Sequence, residues 1–492
     1  MRSSPTRLLI PGFFAALGIA GCTVGPNYHR ADAPVAAHWD VAEPWRESAP
    51  RDALDKGEWW NVFHDDELIT LEKETLTSNQ TLKISVARLQ QARALAAVQV
   101  SANFPQFATA PSAERQRLSG NRPPGSSVPP TGPVTQNSFT IPFTVSYEVD
   151  LFGLRRRTIE SAQASYQASA ADLENVRLIT TSELAGDYFS LRQLDKQVGL
   201  LTRTVEALDK GLDLVKSRYK GGVASGLDVA QEETLLNTTR TQLTLLKQQR
   251  KQFEDAIAVL VGTPAPDFHL GVRELDAEPP PLNAGLPSDL LERRPDVAEA
   301  ERQMASANAL IGVAKAAYYP SLSLFGTGGW QSADITKIAN VQSTFWAFGA
   351  NIAESIFTGG ARRAQVQFAQ ANYDATVANY RQTVLGAFQE VQDGLTGLTI
   401  LDQAYASQQE AVNASRRALN IATSRYTGGL VSYLDVVSAQ QNLLNNEQQL
   451  AILQGQKLVT SVLLVKALGG GWDASSLAAI QYKASPKDIL AP

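Results

Sequence analysis

The chain has 492 residues, 44 Lys and Arg against 49 Asp and Glu for a net charge of -5, 19% charged residues and 44% hydrophobic residues. This excludes wholesale disorder, and a slightly acidic balance leaves no electrostatic footprint for nucleic acid. A mean hydropathy of -0.16 excludes a multi-span helical membrane protein, and one cysteine, four scattered histidines and two methionines exclude a disulfide scaffold and argue against a metal centre.

Residues 1–21 read as an export signal: Arg2 and Arg7 precede an apolar stretch from Leu8 to Ile19 that is too short to span a bilayer. The stretch ends in Ile19-Ala20-Gly21-Cys22, which resembles the bacterial lipobox. That resemblance implies that Cys22 becomes the acylated N-terminus. By resemblance to enteric lipoprotein sorting rules, Thr23 in place of an acidic second residue favours the outer membrane. Residues 22–65 carry Pro, Ala and Trp without a clear period and read as an extended segment.

Proline placement maps the rest. None of the 24 prolines falls between Pro142 and Pro264, or between Pro320 and Pro486. Proline breaks helix interiors, so both tracts permit very long helices. The first repeat, 66–263, is expected to hold a helix, strands near 104–118 and 136–152, a long helix over 154–219 and a helix over 225–262. A linker follows at 264–287. The second repeat, 288–469, is expected to hold a helix, strands near 320–333 and 344–357, a long helix over 359–426 and a helix over 432–468. A tail closes the chain at 470–492.

The long helix carries a seam. Leu184, Tyr188, Leu191, Leu194, Val198, Leu201, Val205, Leu208, Leu212 and Val215 recur every three or four residues, with Tyr219 at the end. After Gly221 and Gly222, Leu243, Leu246, Arg250, Phe253, Ile257 and Leu260 form a second seam. Helix, glycine turn and helix make an αα-hairpin.

The unit is duplicated. Arg218-Tyr219-Lys220-Gly221-Gly222-Val223-Ala224-Ser225-Gly226-Leu227-Asp228-Val229 matches Arg425-Tyr426-Thr427-Gly428-Gly429-Leu430-Val431-Ser432-Tyr433-Leu434-Asp435-Val436 at eight of twelve positions, an offset of 207 (218 to 425). Ala162-Gln163-Ala164 and Ala369-Gln370-Ala371 keep the same offset. Register held through helix, turn and helix is the mark of an internal repeat.

Residues 138–151 alternate: Phe139, Ile141, Phe143, Val145, Tyr147, Val149 and Leu151 on one face, with Ser138, Thr140, Pro142, Thr144, Ser146, Glu148 and Asp150 on the other. An aromatic face backed by small polar residues suits a lipid-exposed barrel wall. Four strands per chain cannot close a barrel, and an open edge cannot face lipid. Several chains must therefore share one wall. Two would give eight strands and a filled interior. Three would give twelve and a wet bore, which better explains polar positions inside the helical seams.

These stretches resemble the TolC-like outer-membrane factors of tripartite efflux pumps, in the NodT-type lipoprotein branch that works with resistance-nodulation-division transporters. The resemblance rests on Ile19-Ala20-Gly21-Cys22-Thr23-Val24-Gly25-Pro26-Asn27-Tyr28, Tyr147-Glu148-Val149-Asp150-Leu151-Phe152-Gly153, Leu286-Pro287-Ser288-Asp289-Leu290-Leu291-Glu292-Arg293-Arg294-Pro295-Asp296-Val297, Ile311-Gly312-Val313-Ala314-Lys315-Ala316-Ala317 and both Arg-Tyr-x-Gly-Gly turns. It implies a mainly α chain with transmembrane β: a homotrimer with a shared 12-stranded barrel, a periplasmic helical tunnel and an equatorial domain. It also implies a periplasmic adaptor and an inner-membrane transporter as partners, and outer-membrane lipid around the barrel.

Site residues follow from that resemblance. Cys22 is the lipid attachment point. Gly221, Gly222, Ser225, Leu227, Asp228, Gly428, Gly429, Ser432, Leu434 and Asp435 form the periplasmic tips that meet the adaptor. Leu430 and Asp435 are gate candidates, since Val431 and Ser432 stand where some relatives place an acidic residue. No nucleotide-binding, zinc-protease or hydrolase motif is present, so no enzyme activity and no cofactor are expected. A protein-secretion duct and a non-pore structural lipoprotein remain alternatives to a passive exit duct for drugs and other toxic small molecules.

Overall fold

A short 3-10 turn, Trp59–Phe63, leads into α1 (Asp66–Ser78) and α2 (Gln80–Ser101), followed by β1 (Gln106–Thr109), β2 (Ser112–Leu118) and β3 (Val134–Val149). The first hairpin is α3 (Leu154–Lys220) and α4 (Gly226–Leu260). Then come α5 (Leu290–Arg293), α6 (Pro295–Ala316), β4 (Ser321–Ser332) and β5 (Thr344–Ala353). The second hairpin is α7 (Ala361–Thr427) and α8 (Tyr433–Ala467). This computed structural model describes residues 23–36, 39–40, 57–121, 132–275, 277–280 and 290–483. Cys22 and the export signal lie outside the described residues, as do 276 and 281–287 of the linker and the end of the tail.

The proline-free tracts give α3 and α7, each 67 residues long, or ~100 Å at ~1.5 Å per residue. The seam explains their packing. Leu184, Tyr188, Leu191 and Leu201 are fully buried, and burial continues through Leu208 and Leu212 to Val215. It lapses at Tyr219, where the hairpin tip emerges.

The helix expected at the start of the first repeat is two helices. Asn79 separates them: its Oδ1 accepts the Leu82 N–H at 3.0 Å while its Nδ2 donates to the Leu260 carbonyl at 2.8 Å. A side chain that caps α2 and ties it to α4 makes the break a fixed corner.

The five strands form one antiparallel sheet in four lanes. β3 pairs with β4, and β4 with β5. β1 and β2 both pair with β3 on its free side, where a single strand near 104–118 was expected. Their registers are continuous, with Thr109 opposite Phe143 and Ser112 opposite Thr140. The skipped residues, Ala110 and Pro111, face Pro142 and Ile141. Both prolines lack an N–H, so the ladder opens there and closes again. β5 and the β1/β2 lane are left as open edges.

The largest core lies midway along the helices. Trp59, Trp60, Phe63, Leu68 and Leu71 pack on Leu184, Tyr188 and Phe189 of α3, together with Val384 and Val391 of α7 and Leu458 and Val462 of α8. The tryptophan-rich segment before α1 therefore braces both hairpins from outside.

Candidate functional site

Both hairpin turns have the same architecture. Gly222 (φ +73°) and Gly429 (φ +74°) sit in the left-handed region that ends a helix. The Val223 N–H donates to the Arg218 carbonyl and the Gly222 N–H to that of Tyr219, both at 2.9 Å. Leu430 and Gly429 repeat this with Arg425 and Tyr426. Ser225 and Asp228 then form a reciprocal capping box at 3.2 and 3.0 Å. In the second turn, the Asp435 carboxylate accepts both the Ser432 N–H (3.1 Å) and its hydroxyl (2.8 Å). Asp435 thus has a capping job, while Leu227, Leu430 and Leu434 are exposed at the tips.

The tips touch each other. The Arg218 guanidinium lies 4.9 Å from the centre of the Tyr426 ring, and Tyr426 packs on Tyr433 at 4.9 Å. Tyr433 is buried against Val215 of the first hairpin. Its phenol faces Glu232, a carboxyl with no exposed surface. Burial pushes the Glu232 pKa up, with the phenol pulling the other way. Burial and the carboxyl together push the Tyr433 phenol up.

At the far end, register sorts the sheet into two faces. Ile141, Phe143, Val145 and Tyr147 of β3 lie across from Trp330, Gly328, Gly326 and Leu324 of β4, which lie across from Thr344, Trp346, Phe348 and Ala350 of β5. The rows of Leu324 and Trp330 and of Trp346 and Phe348 share one face. Among the described residues no helix covers it: Phe107 is 81% exposed, Trp346 75% and Phe348 78%. Ser146, Thr144 and Thr140 line the opposite face with Ser323, Thr327 and Gln331. From Phe139 to Val149 the apolar row runs ~34 Å, or ~24 Å of height at a ~45° tilt, which matches the apolar band of a membrane barrel. Beyond it the same face turns polar at Arg115 and Arg117, opposite Asn137 and Thr135. At the other rim Asp150 accepts the N–H groups of Arg155 (3.2 Å) and Arg156 (3.0 Å), seating the first turn of α3.

A sequence model of the outer membrane efflux protein family matches residues 71–263 and 286–470. The chain belongs to the outer membrane efflux protein family. The efflux pump outer membrane protein SepC of Pseudomonas putida, itself named as probable, is 33% identical over 93% of this chain and 96% of its own length. The pyoverdine export outer membrane protein OpmQ of Pseudomonas aeruginosa is 32% identical over 93% and 95%. Among solved structures, the Campylobacter jejuni CmeC outer membrane channel superposes with a TM-score of 0.84 at 26% identity, covering 92% of this chain and 96% of that one. The open-state MtrE outer membrane channel of Neisseria gonorrhoeae gives 0.80 at 28%, covering 92% and 99%. The efflux protein has the fold of the TolC-like outer-membrane channels and is an outer-membrane component of an efflux system.

Two parts of this efflux protein were not legible as sites. Around mid-helix, Asp195 accepts Arg250 Nε at 2.6 Å and the Arg273 N–H at 3.2 Å. Arg192 reaches Glu67 at 2.6 Å and the Gly271 carbonyl at 2.7 Å. This network pins the loop after α4 and the start of α1 to α3. Its one sequence signal was Arg250, a cation standing in an apolar seam. The second part is the Arg294 junction. Arg294 forks onto Asp296 at 2.6 and 3.0 Å, and reaches Glu390 at 2.7 Å and the Ala467 carbonyl at 3.0 Å. The Arg-Arg-Pro-Asp stretch is therefore a bolt between α6, α7 and α8.

The Val24-Gly25-Pro26-Asn27-Tyr28 and Ile311-Gly312 stretches meet in space. A Cβ on Gly25 would lie 2.5 Å from the Gly312 Cα, so the two backbones touch. Arg157 donates to Asn27 Oδ1 at 2.8 Å and the Tyr28 hydroxyl to Glu301 at 2.6 Å, which lays the start of the described chain along α6.

Proposed function

We propose that three copies close edge to edge into a 12-stranded barrel in the outer membrane. The hairpins then continue as a periplasmic tunnel, and the assembly is a passive exit duct for small molecules. The observation that carries this is the uncovered aromatic face on a sheet with two open edges. In lipid each unpaired backbone group costs several kcal/mol, so both edges need a partner. The chain offers no energy source of its own. Work comes from an inner-membrane proton-driven transporter of the resistance-nodulation-division class, reached through a periplasmic adaptor. The names of relatives, which include toluene, solvent and antibiotic efflux pump proteins, support small apolar and amphipathic cargo.

The tips, from Gly221 to Asp228 and from Gly428 to Asp435, are the adaptor contact, with Leu227 and Leu434 as its apolar anchors. Leu430 forms the constriction, and Asp435 holds its turn in shape. Cys22 carries the lipid anchor. Purified protein should run as a trimer in detergent and form channels in a planar bilayer. A folded monomer would overturn the reading. Leu227→Asp with Leu434→Asp should leave trimer yield unchanged and abolish crosslinking to the adaptor; crosslinking that persists would remove the tips from the docking surface.

A further inference from the structure

The two rims of the sheet hold their cations differently. At the rim next to the helices, Arg155 reaches Glu148 at 2.8 Å and Arg156 reaches Asp150 at 3.1 Å, so each guanidinium has a carboxylate. At the opposite rim Arg115 and Arg117 of β2 are exposed, and among the described residues neither has an ion-pair, hydrogen-bond or ring partner. Register fixes the way they point. Arg115 pairs with Asn137 and Arg117 with Thr135, in the same alternation that sets Phe107 opposite Val145 and Thr109 opposite Phe143. Both guanidinium groups therefore leave the sheet on its aromatic face, while Glu114 and Gln116 leave it on the small-polar face. Asn137, across from Arg115, stands two residues past Phe139, or ~7 Å along the strand, just outside the apolar band.

The chain brings no counter-charge to this face. There is no Asp or Glu between Glu114 and Glu148, a stretch that covers β3 down to Tyr147, and none in β4. There is also none between Asp334 and Glu354, a stretch that covers β5, the edge that another copy lays beside β2 in the duct. Asp334 itself is held in its own turn by the Thr336 N–H at 3.0 Å and by Lys337 at 3.8 Å. The anion for Arg115 and Arg117 must therefore come from their surroundings. The hairpins leave the sheet at the other end, so in the duct proposed above this rim faces the cell exterior, and the inference rests on that orientation. The outer leaflet there is lipopolysaccharide, whose lipid A headgroup carries phosphate monoesters. We infer that Arg115 and Arg117 bind the lipid A phosphates of that leaflet.

The chemistry suits that ligand. A guanidinium presents a planar fork of N–H donors that matches phosphate oxygens two at a time. Alternate residues of one strand lie ~7 Å apart on the same face, so the two forks can grip one phosphate or two neighbouring ones. Asn137 and Thr135 stand directly across on β3 and add an amide and a hydroxyl donor to the patch. The acyl chains of the same lipid then lie along the aromatic row below. Because β2 belongs to an open edge, a trimer has three such sites, one at each seam between copies, and bound lipid A covers the seam from outside.

The test titrates the full-length protein in a neutral detergent and reads bound mass by native mass spectrometry. The probes are bisphosphorylated lipid A, the same lipid stripped of both phosphates, and inorganic pyrophosphate. Wild type should hold the bisphosphorylated lipid roughly tenfold more tightly than the stripped one, and should not retain pyrophosphate. Arg115→Gln with Arg117→Gln should erase that preference, and Arg115→Lys with Arg117→Lys should keep part of it. Lys337→Gln, which removes another cation from the same rim, should leave it intact. Equal retention of the two lipids by wild type overturns the site, a comparison that decides the matter even where the double Gln variant yields no folded protein. A preference that survives the double Gln change, or one that is lost equally in Lys337→Gln, also overturns it. Pyrophosphate held as tightly as the lipid would mean a site for free phosphate and would overturn the lipid assignment. None of these readings needs conduction. A wild type that retains lipid A but never opens a channel in a phosphatidylcholine bilayer would sink the duct and leave the lipid site standing.

Discussion

Arg192 Nη1 and Asp195 Oδ2 lie 2.6 Å apart, with side chains 1% and 0% exposed. One turn of α3 thus holds a fully desolvated ion pair midway along a hairpin wall. Asp195 also carries Arg250, so its removal takes a carboxylate from two guanidinium groups at once and leaves Glu67 to Arg192 and the more distant Glu254 to Arg250. Breaking a buried pair costs ~3–5 kcal/mol, because a buried charge is left without its partner. Asp195→Ala should therefore lower the urea midpoint by that equivalent or abolish trimer yield. A loss below about 1 kcal/mol would show that water reaches the pair.

The second expectation concerns the sheet faces. Trp346 and Thr144 both lie mid-strand, but on opposite faces. Trp346→Arg places a guanidinium toward lipid, which costs ~2–4 kcal/mol near the bilayer centre. Thr144→Arg places it toward water. Membrane-fraction yield of the heat-modifiable trimer should fall sharply for the first and stay near wild type for the second. The reverse order would mean that the faces are swapped.

The turn glycines give a third. At φ +73° and +74°, an added Cβ costs about 1 kcal/mol, because L-residues avoid the left-handed region. Neither Gly222 nor Gly429 has a neighbour within 4 Å of such a Cβ, so the cost is conformational alone. Gly222→Ala and Gly429→Ala should each show that small loss in equilibrium unfolding, and Asn at either place should recover part of it. Losses of several kcal/mol would point to a packed turn.

Much of this architecture was legible because its signals are local or periodic. The proline-free tracts set the length of α3 and α7, the seam set their buried side, and strict alternation set the two faces of β3. The duplicated turn was readable because Gly, Ser and Asp at fixed spacing have one conformational use there. What escaped were contacts between distant segments. Asp195 looks like a surface residue of a long helix, and Arg294 like an exposed cation just before a helix start, until the loop after α4 and the end of α8 fold over them. The break at Asn79 was hidden because asparagine is tolerated within a helix, and only its bond to the Leu260 carbonyl makes it a corner. The two-part edge lane needed Pro142 to be seen opposite Ala110, next to Pro111, a pairing that register alone reveals.

The last expectation is a pH dependence at the joint between the hairpins. Glu232 is buried on α4, and Tyr433, Tyr426, Asp228 and Arg218 are ionisable groups around the joint. Burial raises its native pKa above the ordinary value of 4.5, so the native state holds the proton more tightly than the unfolded chain does. By linkage, the stabilising effect of that proton is complete below pH 4.5 and is lost as pH rises through the raised native value. Glu232→Gln keeps the shape and removes the ionisation. The two proteins should unfold at similar urea concentrations near pH 4, with the Gln form becoming the more stable by pH 8. If the wild type holds the advantage at pH 8, the carboxylate is charged and paired in the folded protein, and the joint is held by an ionic contact in place of a neutral one.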